Sequence, residues 1–67
     1  MSVSKIITLV GESPNNWAEA TTHVIAEAKK SLRGITRIKV TELDVKITDE
    51  GATSFRVKAE VSFRVES

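Results

Sequence analysis

Ala52-Thr53-Ser54-Phe55-Arg56-Val57-Lys58-Ala59-Glu60-Val61-Ser62-Phe63-Arg64-Val65-Glu66-Ser67, the last stretch of the chain, decides the fold. Phe55, Val57, Ala59, Val61, Phe63 and Val65 take every second position, and Ser54, Arg56, Lys58, Glu60, Ser62, Arg64 and Glu66 fill the places between. Successive strand side chains point to opposite faces, so this alternation predicts a long strand with one apolar and one polar face. Every other element has to cover that apolar face.

Working back from it, Asp49-Glu50-Gly51 reads as a tight hairpin turn, preceded by a second long strand within Ile35 to Thr48. The apolar parity of this second strand changes: Ile38 and Val40 are even, whereas Leu43, Val45 and Ile47 are odd. A one-residue change of parity turns over every later side chain, which predicts a bulge around Thr41 and Glu42. Lys5 to Val10 is rich in β-branched residues and stops at Gly11, so it reads as a short first strand.

Between these strands, Ser13 and Pro14 form a helix start, with Ser13 as the cap and Pro14 at the first helical position, where no N–H is wanted. Trp17, Thr21, Val24, Ala28 and Leu32 recur at three- and four-residue steps with Ala20 and Ile25 at the margins, and Gly34 follows as a C′ residue. The expected helix is Pro14 to about Arg33. The fold class is α+β, in the order β-α-β-β, with a three-stranded antiparallel sheet wrapped around one helix.

The chain has 67 residues and no cysteine. That length makes one domain, 1–67, near the lower limit at which a core sustains itself, and neither disulfides nor a thiolate metal site can help. Self-association is the usual remedy. A formal net charge of +1 with interspersed signs points to neither nucleic acid nor a membrane surface as partner. The amino terminus does not read as a signal peptide, and a cytoplasmic location is expected.

Few residues carry chemistry. His23 is the single histidine, placed between Glu19 and Glu27 at four-residue spacing, and reads as a surface ion-pair member. Without cysteine, a second histidine or a nucleophile-like serine, no enzyme is expected. Gly11-Glu12-Ser13 has one glycine where phosphate loops need several. Glu42, Asp44, Asp49 and Glu50 are hard oxygen donors; taken alone they read as a solvated acidic cluster, with a divalent-cation site as the alternative. Arg37 and Arg56 fall on polar sides of their strands and can share one sheet face, with ion pairing to Glu42, Glu60 or a neighbouring copy as their plain role.

The opening Ser2-Val3-Ser4-Lys5-Ile6-Ile7, the Val10-Gly11-Glu12-Ser13 run, Ala26-Glu27-Ala28 and the ending Val57 to Glu66 together resemble the dodecins, over nearly the whole chain. The resemblance implies a β-α-β-β subunit and a hollow homo-oligomer of twelve copies. Most dodecins store flavins, stacking the rings on a tryptophan of the second strand and holding their edges with a glutamine of the third. The matching positions here are Arg37 and Arg56, so the aromatic platform is absent. Together with Ser13-Pro14-Asn15-Asn16-Trp17, this is similar to the subgroup of calcium dodecins. By the same resemblance a divalent ion would lie near Asn15 and Glu42, with calcium as the ion. The expected function is non-enzymatic binding or storage; the alternatives are flavin (riboflavin or FMN) storage through an altered pocket at Arg37 and Arg56, and a structural shell without a specific ligand.

Overall fold

The computed structural model describes residues 3–51 and 53–65. Strand β1 runs Ser4–Ser13, helix α1 Trp17–Ser31, strand β2 Ile35–Ile47 and strand β3 Thr53–Arg64. The sheet is antiparallel in the order β1-β3-β2, so the strand with the cleanest alternation is the central one. Of the expected last strand, Ala52, Glu66 and Ser67 lie outside the described residues.

Val57, Ala59 and Val61 are fully buried and meet Ala20, Val24 and Ala28 of the helix. Ile7, Leu9, Leu32, Ile35 and Ile38 pack around this small core. Phe55 and Phe63, on the same strand face, are only half-buried. The helix stripe is therefore centred on small residues instead of on Trp17, which lies at its margin with its ring edge-on to Phe55 at 5.0 Å.

Small side chains bring the helix close to the sheet, and this explains Gly11. The expected first strand ended there, but Gly11 lies inside β1, opposite Val57. A Cβ at Gly11 would stand 2.6 Å from the carbonyl oxygen of Ala20 and 2.6 Å from Cγ2 of Val24. Close approach, and not chain reversal, is what requires glycine here.

The helix begins three residues later than Pro14. Asn16 is the N-cap, extended at φ −170° and ψ 169°, and its Oδ1 accepts from the Glu19 N–H at 2.7 Å. Ser13 instead closes the preceding turn: its buried hydroxyl accepts from the Asn15 N–H at 3.0 Å and donates to Glu19 Oε1 at 2.9 Å. At the other end the Leu32 N–H bonds the Ala28 carbonyl at 2.9 Å, and Gly34 takes a φ of +70° that favours glycine.

The expected bulge is present between Val40 and Glu42, where Thr41 is the unpaired residue. Its hydroxyl donates to the Lys58 carbonyl at 3.1 Å, replacing a ladder bond. A second shift lies between Ile35 and Arg37, where Thr36 Oγ1 reaches the Ser62 carbonyl at 3.4 Å. The hairpin turn closes with the Gly51 N–H on the Thr48 carbonyl at 2.9 Å, Gly51 having a φ of +82°.

One apolar surface remains uncovered. The helix lies mostly over β1 and β3 and hardly on β2. Val40, Leu43 and Val45 stand opposite Ala59, Val57 and Phe55 on the helix-facing side, yet they are 41%, 56% and 36% exposed, and Ile47 is 72% exposed. The chain extends 51 Å along its longest axis, with a radius of gyration of 13.9 Å. A compact chain of this length would measure about 11 Å. Its accessible surface is 5115 Å², against about 4,200 Å² for a monomeric protein of its mass. The chain is shaped to be covered.

Candidate ligand and ion sites on the sheet

The two bulges determine which β2 side chains share the polar face with β3. Lys39 stands opposite Glu60, Glu42 opposite Lys58, and Asp44 opposite Arg56, while Arg37 faces Ser62 and Lys46 faces Ser54. Lys58 Nζ lies 3.6 Å from Glu42 Oε2, and Arg56 Nε lies 3.1 Å from Asp44 Oδ1. The second pair is close but badly aligned, for the Arg56 Nε–H is buried without a hydrogen-bond partner. Both pairs are about half exposed and contribute little to stability.

Arg37 and Arg56 do share this face. They do not form one site within a chain: Arg37 is level with Ser62, six residues from Arg56 on β3, which is about 20 Å of strand. Arg37 borders an open concavity of about 310 Å³, with Ser4, Ile6, Thr36 and Ser62 as its other walls. At the far end of the face, Glu12, Lys46, Thr48, Thr53 and Ser54 border a second concavity of about 290 Å³. The hydroxyls of Ser4, Thr36 and Ser62 escape a reading of the sequence alone, because they come together only through strand register. The signal that points to Thr36, a second break in the β2 alternation, is masked by the short apolar span before Arg37.

Asn15 and Glu42 are likewise placed apart. Asn15 belongs to the turn before the helix, and its Nδ2 donates to both Glu19 oxygens at 3.1 and 3.0 Å, leaving Oδ1 as the amide atom open to a cation. Glu42 is on the polar face with Lys58, on the side of the sheet away from the helix. No group of three or more histidine or acidic side chains among the described residues is arranged to hold a metal.

Glu19 is the residue whose ionisation the fold alters most clearly. Hydrogen bonds from Asn15 and Ser13 lower its pKa below the usual carboxylate range, opposed by partial desolvation and helped by His23. His23 itself bonds the Glu12 carbonyl through Nδ1 at 2.9 Å, so the proton is on Nδ1 and the imidazole ties the helix to β1. The expected pairing with Glu19 and Glu27 is replaced because the Glu19 carboxylate is held by Ser13 and Asn15. Trp17, the single tryptophan, donates from Nε1 to the Asp44 carbonyl at 3.1 Å, fastening the helix start to β2.

A short chain with an uncovered apolar stripe on one side and a laddered, charged face on the other has the surfaces of a subunit that associates. Comparison with known proteins narrows this. The sequence model of the Dodecin family matches residues 3–66, and the chain belongs to that family. It is 35% identical to "Calcium dodecin" of Mycobacterium tuberculosis over 65 residues, 97% of this chain and 92% of that protein. The crystal structure of that calcium dodecin, described as calcium-chelating with a novel calcium-binding site, superposes with a TM-score of 0.89 at 34% identity, covering 97% of this chain and 93% of that one. An arginine-to-alanine variant of the Thermus thermophilus dodecin superposes with a TM-score of 0.90 at 33% identity, covering both chains fully.

Proposed function

We propose that this protein is a non-enzymatic dodecin-type assembly of twelve copies that binds and buffers calcium. The observation that carries the assembly is the apolar stripe Val40, Leu43, Val45 and Ile47, which the chain's own helix leaves exposed. A second copy is the natural cover for such a surface. Calcium is supported by the similarity to a relative named for that ion and by donors of the right hardness. Asn15 offers a neutral amide oxygen and Glu42 a carboxylate, and calcium accepts such mixed oxygen shells. Asn15 bonds the helix residue Glu19, and Glu42 pairs with Lys58 on the sheet face away from the helix; an ion bound by both from different copies would tie binding to assembly.

Flavin storage is the weaker reading. The single tryptophan packs on the helix side against Phe55, whereas the residue that by resemblance matches the family's stacking position is Arg37, on the other face. A guanidinium supplies far less apolar stacking area than an indole. A shell without a specific ligand is the remaining reading.

Calorimetric titration of chelator-stripped protein with calcium separates these. The calcium reading predicts saturable binding that Glu42→Gln weakens at least tenfold while the assembly mass is unchanged. Absence of saturable binding, or an equal affinity in the variant, overturns the assigned site.

A further inference from the structure

The charges that alternate along the sequence separate in space. Strand register brings the start of β1, the start of β2 and the end of β3 to one end of the sheet, where Ser4 faces Arg64 and both Lys5 and Ile35 stand level with Phe63. The last turn of α1 runs into the same end, and the Gly34 carbonyl there accepts from the Arg64 N–H at 2.9 Å. Six of the ten basic residues gather at this end, Lys5, Lys29, Lys30, Arg33, Arg37 and Arg64, and residues 3–6, 28–37 and 62–65 include no acid. The far end carries Glu12, Glu19, Asp44, Asp49 and Glu50 against Lys46 and Arg56. A net charge of +1 is thus the average of a basic end and an acidic end.

Arg37 and Arg64 turn to the polar face with Ser4 and Ser62 and belong to the ligand face already described. The other four cations make a separate patch around the helix end. Lys5 shares the parity of Ile7 and Leu9, so it stands on the helix side of β1; Lys29 and Lys30 are in the last helical turn, and Arg33 follows it. All four are exposed and none forms an ion pair. Glu27, the nearest acid along the helix, is exposed and unpaired too, so it leaves the patch with a large positive excess. Cations in a last turn favour the helix dipole, which accounts for Lys29 and Lys30. Lys5 and Arg33 lie outside the helix and need another account.

We infer that this patch is a docking surface for inorganic polyphosphate. Three of its four cations are lysines, compact point charges whose donors turn freely, which suits a dense run of phosphates more than the fixed oxygen geometry of one group. No exposed aromatic side chain lies beside them: Phe63 is half-buried, and Trp17 and Phe55 pair at the far end. Nucleobases have no platform here on which to stack, so a single-stranded nucleic acid loses its usual gain. A duplex is stiff over about 50 nm and touches a compact assembly at few points. A flexible phosphate chain bends from one patch to the next, and linked contacts strengthen one another. That last gain rests on the proposed assembly; contact with a single patch does not, and neither rests on calcium.

The test is the fluorescence anisotropy of end-labelled polyphosphate titrated with chelator-treated protein over a series of salt concentrations. Neutralising about four phosphates releases their counterions, so affinity is expected to fall about a hundredfold between roughly 50 and 200 mM salt. The double variant Lys29→Gln, Lys30→Gln is expected to weaken binding about tenfold and to lower the slope of log affinity against log salt by about 1 to 2. Lys39→Gln with Lys46→Gln removes the same charge from the polar face, and is expected to change affinity by less than about twofold because its field reaches the patch through screening solvent. Circular dichroism and sedimentation mass check each variant. Should the helix pair fail to assemble, Lys5→Gln with Arg33→Gln tests the patch without touching the helix. Absence of saturable binding overturns the site. So does equal loss in the Lys39 and Lys46 variant, which would mean a diffuse field. Binding of a single-stranded oligonucleotide as tightly as polyphosphate overturns the assigned partner. Loss of assembly in both patch variants, with secondary structure kept, overturns the site by making the patch a contact between copies.

Discussion

Replacing Gly11 by alanine tests the packing of helix on sheet at its tightest point. In an ordinary strand the change is favourable, because glycine weakens a strand interior by roughly 0.5–1 kcal/mol relative to alanine. Here the new Cβ would meet the Ala20 carbonyl oxygen and the Val24 methyl, each at 2.6 Å, where ordinary contact begins at 3.4 Å. Neither neighbour yields cheaply. The carbonyl belongs to the helix backbone, and Val24 is 2% exposed with a stiff, β-branched χ1. Relief requires the helix to lift from the sheet, loosening Ala20, Val24 and Ala28 from Val57, Ala59 and Val61. Overpacking of this kind costs about 1–3 kcal/mol, so a net loss of about 1–2 kcal/mol is expected after the strand preference is set against it. For a domain of this size that lowers the melting temperature by about 5–15 °C. Thermal unfolding by circular dichroism, at equal protomer concentration because association shifts apparent stability, measures it. A variant as stable as the parent refutes the close-approach account of Gly11.

Three further outcomes follow from other parts of the fold. Leu43→Glu places a charge on the exposed β2 stripe, and is expected to lower the sedimentation mass while the far-ultraviolet spectrum stays the same; an unchanged mass would remove that stripe from the interface. Asn16→Ala removes the N-cap acceptor for Glu19 and should destabilise by about 1 kcal/mol in denaturant titration, whereas Ser13→Ala should not mimic it through the helix N–H groups. Glu19 has a folded-state pKa below its unfolded value, so the stability its ionisation adds is present above about pH 4.3 and is lost as pH falls through the lower folded value. Glu19→Gln should therefore be less stable than the parent at neutral pH, with the gap closing in acid; a gap independent of pH would contradict the hydrogen-bonded carboxylate described here.

Much of this fold was legible because its signals are local. The period of β3 and the parity change around Thr41 depend only on neighbours in sequence, and both appear as expected. The helix start is ambiguous in sequence because Ser13-Pro14 and Asn16 are each good openings; tertiary packing decides between them by burying Ser13 in the end of β1, opposite Phe55. Gly11 reads as a stop for a similar reason: a glycine that ends a strand and one that admits a helix look alike in one dimension. The Arg37 concavity was the least legible feature. Ser4, Thr36 and Ser62 are far apart in the chain, and a bulge at Thr36 that alters no long apolar run leaves little trace in the pattern.

The central claim, that this chain is a subunit of a calcium-holding dodecin assembly, is tested most directly by native mass spectrometry of the protein as isolated, before and after chelator. The account predicts a species of twelve copies carrying calcium that chelator removes. A single chain, or an assembly whose mass contains flavin and no calcium, would contradict it.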